Sequence, residues 1–230
     1  MTAKEYNCLL WKEYVENTPI IQEEDKSGFG EFGLACSTDI SLPYMIYQSI
    51  MKDEHYLFDE STGITYRKRE GEYQLIWHKQ LFKFGREEIR SLIISLIQIF
   101  EEVLPLGSIV DLKKSYLENM IPLDGVGKIR LVILHRFVNE SPEGMFYPYS
   151  GTIYPTGIPG SSRQINFSPA LIERVVYKGF HDEQEDAYVY LMKKEFLIDR
   201  QLKSVGFADE DERKTYQNFL RRELTELAES

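Results

Sequence analysis

The sequence predicts an α+β protein: a small antiparallel sheet or partly open barrel with a covering helix, preceded by a helix-rich α+β N-terminal part and followed by a terminal helix. Three observations carry this. Residues 86–103 place Ile89, Leu92, Ile93, Leu96, Ile97, Phe100 and Val103 at helical spacing. After Pro105-Leu106-Gly107 the period changes to short β-prone runs separated by turn-forming pieces. From residue 182 onward the pattern is helical again.

The elements follow in chain order. Residues 3–16 read as a helix, with Tyr6, Leu9, Leu10, Tyr14 and Val15 on helical spacing and Asn17-Thr18-Pro19 ending it. Residues 22–41 mix acids with Ser27, Gly28, Gly30 and Gly33 and read as a loop with little regular structure. A helix is expected over about 43–53, with Pro43 near its first turn. The runs 64–68 and 73–77 form a hairpin candidate across Glu70-Gly71-Glu72. The helix at 86–103 carries Glu87 and Glu88 in its first turn, where the backbone dipole favours acids. It is expected to bury its stripe in its own core.

Strands are then expected at 108–113, 128–137, 145–154, 163–167 and 174–177, with a short helical turn at 169–172. A helix over about 182–203 carries Ala187, Leu191, Ile198 and Leu202 as its stripe, with His78 and His135 left in the strands before it. A last helix is expected at about 209–227, with Tyr216, Phe219, Leu220, Leu224 and Leu227. The expected division is therefore 1–104, 105–204 and 205–230, with Pro105-Leu106-Gly107 as a tight join.

Composition bounds the function. The 230 residues are 43% apolar and 28% charged, ordinary for a globular chain. The net charge of -10 argues against a nucleic-acid partner, which requires a basic footprint. Charge is uneven: residues 1–104 hold 18 acids and 11 bases, 105–180 hold 6 and 8, and 181–230 hold 13 and 8. The middle stretch is the only basic one. The first residues lack a basic region followed by an apolar run, so no signal peptide is expected. The most apolar stretch, 92–104, is too short and too often interrupted to span a bilayer. The expected location is the cytoplasm, with no membrane partner.

Motifs for chemistry are missing. Cys8 and Cys36 make no metal-ligand spacing. None of His55, His78, His135 and His181 lies three to five residues from another His or Cys, so no metal site is expected. His181-Asp182-Glu183 is better read as a helix start than as a cation site. There is no G-x-S-x-G, and the glycines at 151, 157 and 160 lack the Lys-Ser/Thr ending of a phosphate loop. The run Asp209-Glu210-Asp211-Glu212 reads as solvated surface. No catalytic residue and no cofactor are expected, and the chain is read as non-enzymatic. What stands out is aromatic: Phe146, Tyr147, Tyr149 and Tyr154 fall in a short stretch with Pro148 and Pro155. Strand alternation sends some inward and some outward. Those turned outward are the candidate partner-binding residues.

One resemblance adds to this. Its pieces are residues 105–110, the apolar run 129–134, Tyr149-Ser150-Gly151-Thr152-Ile153-Tyr154-Pro155-Thr156-Gly157, the step Asn166-Phe167-Ser168 into 172–180, and the acidic helix start Asp182-Glu183-Gln184-Glu185. In this order they resemble a small domain of unknown function, over about residues 104–204, found in Gram-positive bacterial proteins encoded beside LXG-type toxins of the type VII secretion system. The insertion at 115–126 is longer than the family pattern. The resemblance implies an accessory protein, a cytoplasmic adaptor or targeting chaperone whose partner is the helical N-terminal region of a secreted toxin. It transfers no catalytic residue. Two rivals stand beside it. An immunity protein would neutralise a cognate toxin, and an acidic surface suits a nuclease target. An enzyme would need a site that the sequence does not display. The sequence leaves the oligomeric state open.

Overall fold

The computed structural model describes residues 1–113, 128–138, 144–157, 164–209 and 211–212. The chain forms two compact units: residues 1–102 with 186–199, and residues 103–185 with 200–230. The sequence called a last helix at 209–227 and an insertion at 115–126. Apart from Asp209, Asp211 and Glu212, both lie outside the described residues. Among the described residues no helix is long and apolar enough to cross a membrane.

The first unit opens with α1 (Ala3–Asn17), started by a capping box in which Thr2 and Glu5 satisfy each other's backbone N–H. α2 (Lys26–Cys36) occupies the stretch read as a loop. That reading is corrected by burial. Phe29, Phe32 and Cys36 are fully buried on one helical face, and this outweighs the roughly 1 kcal/mol that each glycine costs a helix. Gly33 has a second role: a Cβ there would lie 2.2 Å from the Trp11 ring. The ring donates from Nε1 to the Gly30 carbonyl at 2.9 Å. The sequence pattern registers the glycines and misses the indole that requires one of them.

α3 (Ser41–Met51) follows, then four antiparallel strands in sequential order: β1 (Tyr56–Asp59), β2 (Ile64–Arg69), β3 (Glu72–Trp77) and β4 (Gln80–Phe84). The expected hairpin is β2–β3, closed at Glu70-Gly71 with both φ positive, as a tight two-residue turn requires. His78, expected in a strand, instead sits with Lys79 in a second turn of this kind between Trp77 and Gln80. Both have positive φ without being glycine, which is why the turn was not legible.

α4 (Arg86–Phe100) buries Ile89, Leu92, Ile93, Leu96 and Ile97, as its stripe predicts. It ends three residues short of the expected Val103. Lys193 meets the carbonyls at that end. Its ammonium donates to the carbonyls of Ile99 at 2.7 Å and Glu101 at 2.9 Å, and to Asn7 Oδ1 at 3.2 Å. The amine is fully buried, and burial lowers its pKa to about 8. Lys193 closes α5 (Glu183–Lys193), which continues as a π-helical segment, Lys194–Asp199. The wider turn shifts the helix phase. Phe196 and Leu197 are buried, while Leu191 of the expected stripe is 60% exposed. Leu202 lies beyond the helix altogether.

The second unit is an open sheet, not a closed barrel. β5 (Ile109–Leu112), β6 (Ile129–Val138), β7 (Met145–Ile153), β8 (Ile165–Phe167), β9 (Ile172–Tyr177) and β10 (Lys203–Ser204) run in the order β10-β7-β6-β5-β9, with β8 also on β7. All pairs are antiparallel except β10–β7. Val110, Leu112, Ile129, Leu131, Ile133, Tyr149 and Phe167 form its core.

The α2 packing gives a paired expectation. Gly33→Ala forces a methyl into the Trp11 ring and should destabilise the chain by at least about 1–3 kcal/mol. Gly30→Ala, with nothing within 4 Å of the new methyl, should stabilise it by up to about 1 kcal/mol. Thermal unfolding of the two variants checks the opposite signs.

Candidate functional site

The second unit's sheet is held by one buried carboxylate. Asp111, on β5, lies directly opposite Arg130 on β6 and Arg174 on β9. Its Oδ1 accepts from Arg130 Nε at 2.7 Å, and its Oδ2 accepts from Arg130 Nη2 at 3.3 Å and Arg174 Nη2 at 2.7 Å. Asp111 is 2% exposed. The Arg130 hydrogen bonds, aided by Arg174, lower its pKa to about 2 against the opposing effect of burial. The Arg174 side chain stays 55% exposed, so the ladder runs from a buried acid to an open surface.

Beyond Arg174 the chain stays on that surface. Tyr177 pairs with Ile109 and is 59% exposed. Gly179 then passes tight against the loop before β5: a Cβ there would lie 2.1 Å from the Leu106 carbonyl oxygen. Its N–H donates to Ser108 Oγ at 2.9 Å. This approach, open only to glycine, ties the segment down, and the next residue, Phe180, projects with 80% of its area exposed. Leu106 and Tyr177 lie exposed on the same end of the sheet. The helix start that follows is built by Asp182, whose Oδ1 accepts from the N–H groups of Gln184 and Glu185 at 3.0 Å each. Arg136 of β6 and Glu185 form a two-pronged ion pair.

The four aromatic candidates separate. Phe146 and Tyr149 are buried, so neither belongs to the outward surface. Tyr149 sits in the core and its hydroxyl oxygen accepts from the Leu104 N–H at 2.9 Å. Tyr147 is partly buried and packs against Met145 and Ala208. Tyr154 is exposed, just past β7. The inward side chains could not be picked out by alternation because β7 is buried on both faces over much of its length.

The sequence reading missed Phe180 and Tyr177. A signal was present: a β-branched run ending in Gly179-Phe180 directly before an acidic helix start leaves Phe180 without a periodic partner in strand or helix. Among the described residues no three of His, Cys, Asp and Glu converge on a common point. His135 lies on β6 with Nε2 3.3 Å from Gln164 Nε2. Cys36 is buried, and burial pushes its thiol pKa up, away from thiolate chemistry.

The Asp111 ladder carries a pH expectation. The carboxylate is more acidic folded than unfolded, so its contribution is complete above the ordinary value of 3.8 and is lost as pH falls towards about 2. Asp111→Asn should cost about 1–3 kcal/mol at neutral pH. The gap between variant and wild type should narrow between pH 4 and 2, as read by denaturant unfolding across that range.

Residues 103–188 match the model of a family described as a domain of unknown function, DUF4176. No curated protein and no solved structure matches the chain. The match covers β5 to β9 and the first part of α5, without β10, and includes Asp111, Arg130, Arg174, Tyr177 and Phe180.

Proposed function

We propose that this chain is a non-enzymatic protein-binding accessory factor, a cytoplasmic adaptor or targeting chaperone for an LXG-type effector of a Gram-positive type VII secretion system. The observation that carries the protein-binding part is Phe180. A large aromatic side chain at 80% exposure, on a segment pinned by the Gly179 approach, is presented as a rigid anchor. Leu106, Tyr177 and Tyr154 add exposed apolar area in the same unit. Aromatic anchors on an ordered frame carry most of the energy of protein interfaces. The LXG context rests on the resemblance of the ordered pieces between residues 105 and 185. The absence of nucleophile, phosphate-loop and zinc motifs from the sequence supports a binding role over catalysis.

An amphipathic effector helix suits such a surface, since its apolar face offers side chains at helical spacing to one prominent ring. The test is co-purification with the effector's N-terminal helical region. Phe180→Asp should weaken that complex by at least about tenfold while leaving thermal unfolding of the chain unchanged. A complex formed only with the effector's toxic C-terminal domain, with rescue of cells expressing that domain, would replace the adaptor by an immunity protein.

A further inference from the structure

The sheet of the first unit has two unlike faces. Strand alternation sends Tyr66, Tyr73, Leu75, Phe82 and Phe84 to one face, and all five are buried. Phe29 of α2 packs there on Phe82 and Phe84, and Phe32 on Trp77. The residues between them form two rows across the four strands on the opposite face. One row is Tyr56, Arg67, Gln74 and Lys83, and the other is Phe58, Thr65, Ile76 and Leu81. Tyr56 is 62% exposed, Phe58 is 49% exposed, and Leu81 is exposed at the far strand. Single exposed apolar side chains are ordinary on a surface, but these share one sheet face.

The polar row is prepared for an anion. Arg67 Nε donates to Gln74 Oε1 at 2.6 Å. Gln74 is itself buried, and its Nε2 donates to Glu72 Oε2 at 3.3 Å. Arg67 is thus held by its inner nitrogen, and among the described residues its two terminal nitrogens have no partner. Their N–H groups form the fork that matches a carboxylate. Lys83 lies in the same row, and its ammonium reaches Glu72 at 3.1 Å in an exposed, readily exchanged pair. Arg69, opposite Glu72, is the third base on this face. Residues 56–84 hold 4 acids and 5 bases, against 14 and 6 in the rest of 1–104. The sheet is therefore a basic island in an acidic part of the chain.

We propose that this face binds an acidic segment of a partner protein. A carboxylate of that segment sits on the Arg67 fork, and a neighbouring large apolar side chain sits over Thr65. Thr65 is two residues from Arg67 on β2, about 7 Å along the strand. It is smaller than Phe58 and Ile76 on either side, so it leaves a gap between them. Side chains at i and i+4 of a helix stand about 5–6 Å apart, close to the spacing of the fork and the gap. Opposite charge selects the partner and the apolar gap adds burial. A nucleic-acid strand is disfavoured, because three bases on a chain of net charge -10 make a weak phosphate footprint. This inference stands on the sheet of the first unit, outside residues 103–188, and does not rest on the adaptor reading of Phe180.

The probe is a blocked, dye-labelled, alanine-based helical peptide of about 15 residues with glutamate and leucine in i, i+4 pairs. A matched peptide carries lysine in place of glutamate. Fluorescence anisotropy of each peptide titrated with the full chain reads binding. The glutamate peptide should bind at least about tenfold more tightly than the lysine peptide. Arg67→Glu should abolish or reverse that preference, and Phe58→Asp should weaken the glutamate peptide by about tenfold. Thermal unfolding of each variant shows that it folds, and Arg67→Gln carries the charge test if Arg67→Glu does not. Phe180→Asp should leave peptide binding unchanged, which separates this face from the Phe180 surface. A chain that binds both peptides equally, or neither, overturns the proposal. So does binding indifferent to Arg67→Gln and Phe58→Asp, or a single-stranded oligonucleotide that binds this face more tightly than the glutamate peptide.

Discussion

Asp111 accepts from an arginine on each neighbouring strand, and this one carboxylate sets the level at which β6, β5 and β9 meet. A charge this buried is tolerated because two guanidinium groups compensate it and reach solvent themselves. Two consequences follow. β9 is tied to β5 at Arg174 between two irregularities of register, and the residues beyond it leave from that point. Arg174 is held with its guanidinium on Asp111 and its side chain half exposed. The exposed end of β9 thus depends on a buried polar contact.

The first unit relies on a different buried charge. Lys193 is a cation among carbonyl oxygens that α4 cannot satisfy by itself. The N–H groups of its ammonium match three acceptors on α1, at the end of α4 and just beyond it. The arrangement is that of a helix cap supplied from a distant part of the sequence. It caps α4, which stops at Phe100 although its apolar pattern runs on to Val103. The low pKa of the amine follows from burial, and its geometry assigns it to structure.

Much of the fold was legible where local chemistry and burial agree. α1, α4 and the β2–β3 hairpin each combine a clear period with a cap or a glycine turn. Where they disagree, the sequence misleads. α2 is rich in glycine because an indole packs on its backbone, and a composition reading sees only a loop. The His78-Lys79 turn uses positive φ without glycine, so β4 stayed hidden. The stripe assigned to α5 failed because Leu191 turns outward within the regular helix, the π-helical turn after it brings Phe196 and Leu197 inward, and Leu202 lies beyond the helix. The candidate site shows the same limit. Tyr149 and Phe146 were indistinguishable from Tyr154 by sequence, since β7 is buried on both faces over much of its length and Tyr154 lies just past its end. β9 reads as a core strand by its valines, yet its place in the sheet order leaves it at the edge.

Hydrogen–deuterium exchange over Ile172–Tyr177 tests the central claim, that Asp111 secures β9 to the sheet. At neutral pH the β9 amides bonded to β5 should be protected in the wild-type chain, and Asp111→Asn should lower that protection more than it lowers the protection of the β6–β7 amides. Protection over β9 that is the same in both chains would contradict the account.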